Sequence, residues 1–319
     1  MKTAKYRDYL PQLNGKPCVT EGGAETTLLF HDGLDLPLFA SFPLLDDEKG
    51  RAAIDRYTRH YYDIALRNKM GFIMDTVTWR ASKRWADELG VSQDELNNVQ
   101  AKSLDFLMSL RDELETSSMP MIISGTIGPQ DDGYNPNGFL KADEAQAYHS
   151  QQIAWLAECG ADMVSAITMT YAQEVIGIAK AAKDIGIPCV ISFTLETDGR
   201  LPSGQTLKSA IEEVDRETGN APAYYMINCA HPEHFEAVLL DDGTWKNRIM
   251  GLRPNASRMS HEELDNSEEL DIGNPKELGT QYKSLMELLP NLMVYGGCCG
   301  TDHRHVEEIC SACNFAAAA

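Results

Sequence analysis

Eight short apolar runs, each separated from the next by a longer stretch, constrain this chain of 319 residues more than any other feature. The runs lie at 17–21, 72–76, 121–127, 163–168, 188–194, 224–228, 248–252 and 292–295. Each is rich in Val, Ile, Met or Phe and bounded by Gly, Pro, Asn or Asp, the pattern of a strand buried on both faces. Residues 49–69, 93–116, 142–159, 172–185, 206–218 and 275–289 carry apolar side chains at helical spacing; Leu104, Leu107, Met108, Leu110 and Leu114 form one such stripe. Eight strands, mostly followed by helices, predict an α/β fold, a closed (β/α)8 TIM barrel, with 1–319 as a single domain. The competing arrangement is an open doubly wound sheet, which normally carries a Gly-rich phosphate turn after its first strand. That position reads Glu21-Gly22-Gly23-Ala24-Glu25, and G-x-G-x-x-G is absent. No linker or short repeat interrupts the pattern, and the run 316–319 of alanines carries no information about the fold.

Charge narrows the partners. The balance of 28 Lys+Arg against 48 Asp+Glu is a net −20, which repels phosphate backbones and anionic lipid. Small molecules are the expected partners, with no nucleic acid and no membrane, and a homo-oligomer is compatible with everything above. No apolar run approaches the ~18 residues of a membrane span, and the polar opening MKTAKYRDYL lacks a signal peptide's apolar stretch. The expectation is a soluble, cytoplasmic protein.

Eight cysteines are too few for a disulfide scaffold in a chain of this length. In a reducing compartment, clustered cysteines more often mean metal or catalysis. Chemistry in a (β/α)8 barrel happens where strands end and βα loops begin. The sixth run ends Asn228-Cys229, and the eighth ends Tyr295-Gly296-Gly297-Cys298-Cys299-Gly300. Only one strand separates the two in barrel order, so three thiols can converge on one rim. Three thiolates with an open fourth position make a catalytic zinc arrangement. A substrate thiol joining them as thiolate stays electron-rich at neutral pH, where a free thiol of pKa ~8.5 is mostly protonated. Alkyl transfer to sulfur suits such a site. Spacing alone leaves open that Cys298-Cys299 is buried packing and Cys229 unrelated to it.

Read together, Gly296-Gly297-Cys298-Cys299-Gly300-Thr301 and Ile227-Asn228-Cys229 resemble the homocysteine S-methyltransferase family. Glu21-Gly22-Gly23-Ala24-Glu25-Thr26-Thr27-Leu28, Asp75-Thr76-Val77-Thr78-Trp79-Arg80-Ala81-Ser82, Gly125-Thr126-Ile127-Gly128-Pro129, Ser192-Phe193-Thr194-Leu195 and Pro254-Asn255 agree in order. The resemblance spans nearly the whole chain. It implies a (β/α)8 barrel whose Zn2+ is held by Cys229, Cys298 and Cys299, with the acceptor thiolate as fourth ligand attacking the donor's methyl carbon. It also implies that Glu21 binds the polar end of the acceptor, and that Asn228 and Asn255 shape the site.

Departures from the family are equally informative. Glu21 is one methylene longer than the usual Asp, Ile167 stands where relatives carry a carboxylate for the acceptor's ammonium, and Thr27 replaces a Glu. Arg80 brings a positive charge to a neutral position. The amino-acid pocket is therefore expected to be altered, with an acceptor other than homocysteine that carries an anion for Arg80; alternatively, Glu25 or Glu174 supplies the missing carboxylate. Trp79, Tyr134 and Asn135 are candidate walls for a cationic donor. His231, His234, His303 and His305 are expected outside the ligand set, and Cys310 and Cys313 in the packing of the last helix. The acidic stretch 261–271 reads as a solvated βα loop placed where it can cover the active face.

A corrin-binding D-x-H-x-x-G pattern is absent, so a sulfonium or quaternary ammonium donor that binds directly is expected. The leading reading is a zinc-dependent thiol S-methyltransferase. The alternatives are transfer to, or demethylation by, a non-homocysteine thiol, and a non-catalytic zinc or redox sensor.

Overall fold

The computed structural model describes residues 3–313. Eight parallel strands pair in chain order: β1 (Cys18–Val19), β2 (Gly71–Asp75), β3 (Met121–Ile127), β4 (Met163–Met169), β5 (Cys189–Phe193), β6 (Tyr224–Asn228), β7 (Ile249–Arg253) and β8 (Val294–Tyr295). β1 pairs with both β2 and β8, which closes the barrel and rules out the open sheet. All eight apolar runs become strands. β1 stops short of the end of the run 17–21, where Thr20 and Glu21 lead into the glycine loop of the C-terminal rim, and β8 starts two residues later than the run 292–295 and ends with it, at the second glycine loop. Those loops stay joined there, with the Gly297 N–H donating to the Glu21 carbonyl at 2.9 Å.

The helices follow local signals. Glu48–Arg67 starts where the Asp47 side chain accepts from the Gly50 N–H, and Gln93–Leu114 starts at a reciprocal Ser92/Glu95 capping box. Ala172–Ile185 and Leu207–Thr218 each stop at a left-handed glycine, Gly186 and Gly219. Pro275–Leu288 follows an Asn274 cap with proline in its first turn. Among the described residues no helix is long and apolar enough to cross a membrane.

The period of two along each strand sorts side chains into two layers. Outward residues such as Phe72, Ile123, Val164, Phe193 and Ile227 pack with Tyr61, Leu107 and Leu156 of the helices. Inward residues Ile73, Ile122, Met163, Val190, Tyr224 and Val294 fill the lower barrel, and Leu10 closes it from beneath. Each large side chain so buried contributes about 1.5–3 kcal/mol. Higher up, the interior turns polar. Ser124 Oγ donates to Ser165 Oγ at 2.8 Å and Ser192 Oγ donates to Asn228 Oδ1 at 2.6 Å. That change of character carries the barrel from packing at one end to chemistry at the other.

Candidate metal centre

β6 delivers Cys229 on a left-handed backbone (φ +52°), its N–H donating to the Arg253 carbonyl at the end of β7. After β8 the chain folds back sharply. A Cβ on Gly297 would stand 2.1 Å from Thr301 Oγ1, and Gly300 has φ +73° with the Asp271 carbonyl 2.6 Å from where its Cβ would be. Only glycine fits either position. The Cys298 N–H donates to the Pro254 carbonyl at 2.9 Å, and the Cys299 carbonyl accepts from the Ala256 N–H at 3.1 Å. The Sγ atoms of Cys229, Cys298 and Cys299 therefore lie within 4.8 Å of one another. Tetrahedral zinc with Zn–S near 2.3 Å needs sulfurs roughly 3.8 Å apart, so this donor set fits the ion.

The histidines have other work. His231 caps the turn Pro232–Phe235, His234 Nε2 donates to the Arg258 carbonyl at 3.0 Å, His303 stacks on His60 at 4.5 Å, and His305 Nε2 donates to the Ile272 carbonyl at 2.8 Å. Cys310 is buried in the core beneath the last helix, with Cys313 packed against it.

Asn228 organises the sulfurs from below. Its Oδ1 accepts from the Thr168 N–H and the Ser192 hydroxyl; its Nδ2 donates to Thr168 Oγ1 at 2.8 Å and reaches Cys298 Sγ at 3.7 Å. Thr168 holds φ +66°, a strained conformation for a β-branched residue that costs on the order of 1–3 kcal/mol and persists because Asn228 grips it at two atoms. From above, the Tyr134 hydroxyl lies 3.0 Å from Cys229 Sγ, and its ring stacks on His261 with centroids 4.0 Å apart. His261 Nε2 donates to the Cys229 carbonyl at 2.9 Å while Nδ1 meets Glu196 at 3.1 Å. Hydrogen bonds from the Cys229 and Cys299 thiols, helped by the Arg253 charge, hold the Cys298 thiol well below its ordinary value, whereas burial pushes Cys229 up. Cys299 is likewise pushed up, by the neighbouring thiols and by burial, so of the three sulfurs Cys298 is the one favoured as thiolate.

A cavity of about 500 Å³ opens onto the sulfurs. Glu21, Glu25, Asp75, Asp132, Asp265, Glu269 and Asp271 line it against Arg80 and Arg253. Arg253 pairs with Asp75 and donates from Nε to the Gly297 carbonyl at 3.2 Å. Glu21, 4% exposed, accepts from the Asp75 N–H; burial first and the Asp75 charge second push its pKa well above the ordinary value, against the pull of Arg253. Polar atoms without a partner collect here: Asp75 Oδ1, Arg80 Nε and Nη1, Thr126 Oγ1 and Asn255 Nδ2.

Of the three expected donor walls, Trp79 and Tyr134 line the cavity, each with one ring face covered, and Asn135 does not. Trp79 Nε1 donates to the Ile167 carbonyl at 3.1 Å, and its ring face is covered by the Arg80 guanidinium at 4.4 Å; one face of Tyr134 is covered by His261. Asn135 is exposed and does not line the cavity. Of the two carboxylates offered as substitutes, Glu25 lines the cavity, while Glu174 lies outside it, bonded to His149 Nε2 at 2.9 Å and the Gln130 N–H at 2.6 Å. Ile167 faces the cavity at an irregularity in the β4–β5 register, and Thr27 does not line it. The stretch 261–271 is more than a solvated loop: it begins as the short helix His261–Asp265 and lines the cavity through Leu264, Asp265, Ser267, Glu269, Leu270 and Asp271.

Sequence reasoning missed Asp75, Thr168, Arg253 and His261 as site residues. Asp75 and Arg253 had a readable signal, a charge as the last residue of an otherwise apolar strand.

Comparison with known proteins agrees with this geometry. The chain resembles the homocysteine methyltransferase MmuM from Escherichia coli in its oxidized form, with TM-score 0.74 and 17% identity over 95% of this chain and 98% of that one. The metallated form gives TM-score 0.72 with the same identity and coverage, and the apo form 0.65 at 17% identity over 93% of this chain and 95% of that one. At that identity the likeness is one of fold. No curated protein sequence matches the chain. A sequence model of the family described as homocysteine S-methyltransferase matches residues 18–313, from β1 through the glycine–cysteine loop to the last helix, and the chain belongs to that family.

Proposed function

We propose that this methyltransferase is zinc-dependent and moves a methyl group from a sulfonium or quaternary ammonium donor to a small thiol such as homocysteine. One observation carries the reading: sulfurs from the ends of β6 and β8 meet within 4.8 Å at the floor of a cavity large enough for two small molecules. Zinc held by Cys229, Cys298 and Cys299 would keep an incoming thiol ionised and nucleophilic at neutral pH.

The chain's own residues do the rest. Asn228 and Tyr134 direct N–H and O–H groups at the cysteine sulfurs, fixing their orientation. Glu21 offers its carboxyl group to the acceptor's polar end, and an ammonium there would favour its ionised form. The unpartnered Nδ2 of Asn255 is a ready donor, with Oδ1 already fixed by the Ser257 N–H at 3.0 Å. Trp79 and Arg80 line the same cavity. As the acceptor sulfur bonds to the methyl carbon, the carbon–onium bond breaks and its electron pair leaves on a neutral sulfide or amine. Trp79 and Tyr134, each with one ring face covered, would meet the cation together with the acidic lining.

Metal analysis of purified protein, with mass spectrometry of homocysteine and 3-mercaptopropionate after incubation with S-methylmethionine, S-adenosylmethionine or betaine, tests the proposal. Bound zinc and a thiol heavier by one methylene are expected. Protein without zinc overturns it, and zinc without transfer assigns the fold to sensing.

A further inference from the structure

Arg80 sits on the cavity wall, 7% exposed, its guanidinium 4.4 Å from the Trp79 ring and 3.5 Å from the Trp85 ring. Of its five N–H groups, Nη2 donates to Asp132 at 3.0 Å, while Nε and Nη1 are buried and have no acceptor. Buried donors without partners are rare, and a charged one more so. Asp132 does not fully compensate the charge, because its Oδ1 also accepts from the Tyr134 and Asn135 N–H groups at 2.8 and 3.1 Å. The other carboxylates felt across this side, Glu25 and Asp265, are both pushed toward their protonated forms by burial. Ile167 lines the same cavity with a hydrocarbon side chain, and its carbonyl is already taken by Trp79. The indole contacts hold the guanidinium plane in place, which prepares its fork for a planar, two-oxygen anion.

We propose that Arg80 recognises a carboxylate on one of the two small molecules the cavity takes, so that the enzyme selects an acid over its uncharged analogue. The inference rests on the methyltransferase reading for its choice of ligands. The carboxylate can belong to the thiol acceptor or to the onium donor, and the chemistry at Arg80 is the same for both.

Kinetics with two matched pairs separate them: 3-mercaptopropionate and its methyl ester as acceptors, betaine and its methyl ester as donors. In one arm, wild type is expected to prefer the free acid, and Arg80→Gln to lower that acid-to-ester preference by about tenfold or more, chiefly through KM. Arg80→Lys, which keeps the charge and loses the fork, lowers it less. The arm that responds names the molecule carrying the anion. Zinc content and melting temperature of each variant report folding. Equal losses for acid and ester in both arms would reassign Arg80 to holding the loop after β3 and overturn the proposal. Calorimetry with the same four compounds keeps the two claims apart. If wild type transfers no methyl group but binds an acid in preference to its ester, and Arg80→Gln loses the preference, the carboxylate site stands and the enzymatic reading falls. Methyl transfer without acid preference does the opposite. Acid and ester bound alike, or neither bound, refutes the site.

Discussion

Arg111 and Arg80 are equally buried, each 7% exposed, at opposite ends of one barrel. Arg111 Nη1 donates to Asp162 at 2.7 Å, and Asp162, with no exposure, also accepts from the N–H groups of Lys5, Tyr6 and Ile123. Both carboxylate oxygens are used twice, so the ion pair ties the N-terminal segment, the helix Gln93–Leu114, β3 and the turn before β4 together. At the other rim, Arg80 has two orphaned nitrogens, Asp75 an orphaned oxygen, and Thr168 and Cys229 left-handed backbones. The difference teaches where each end spends its polar groups. At the Arg111–Asp162 pair they are consumed by the protein itself; around Arg80 and Asp75 they are held ready for something else.

Substitutions should split along that line. Replacing any one of Cys229, Cys298 or Cys299 by Ser is expected to weaken zinc binding and methyl transfer by more than roughly 100-fold, since loss of a supporting residue alone costs roughly 10- to 100-fold. Melting of chelator-treated protein should stay close to wild type. A large fall in that melting temperature would show that the rim carries stability too. The converse is Asp162→Ala, which strands Arg111 and three N–H groups. It should cost about 3–5 kcal/mol in denaturant unfolding while leaving turnover per folded molecule intact. If turnover falls in step with stability, the two ends are not separable.

Much of this division was readable beforehand. The alternation of apolar runs and amphipathic stretches specifies the barrel, because a parallel strand buried on both faces cannot hide its composition. The cysteines were legible because Asn228-Cys229 and Gly297-Cys298-Cys299 stand at strand ends, where barrel topology does the convergence. The occupied ring faces were not. Arg80 on Trp79 is a neighbour in sequence, yet its direction depends on Trp85 and Asp132; His261 on Tyr134 joins loops after β7 and β3. The pairing of Arg253 with Asp75 spans 178 residues, and no local pattern announces it. Periodicity reports burial, whereas which side chain faces which across a rim depends on loop packing.

Tyr134 sharpens the comparison from the metal side. Its hydroxyl serves a sulfur and makes no other bond in the described structure, so Tyr134→Phe should lower zinc affinity by roughly 10- to 100-fold. Competition with a chromophoric chelator measures this, and the melting temperature of the metal-free protein should barely move. Unchanged affinity would mean that the hydroxyl only fills space.

The smallest expected effect lies in pH, and it runs opposite to the usual behaviour of a carboxylate. Glu21 is held above the ordinary glutamate value of 4.5 by burial and by the Asp75 charge, so the folded protein keeps its proton where the unfolded chain has released it. The folded state then binds more protons, and stability declines as pH rises from that ordinary value through the raised one. Asp162 compensates its charge with four donors, whereas Glu21 sits against a second acid, Asp75. Glu21→Gln removes the titration, so denaturant unfolding across an acid-to-neutral series should show a shallower decline than wild type. The variant gains most at the neutral end. Parallel profiles would show that Arg253 already neutralises the pair, leaving Glu21 ionised in the empty site and the rim as well compensated as the base of the barrel.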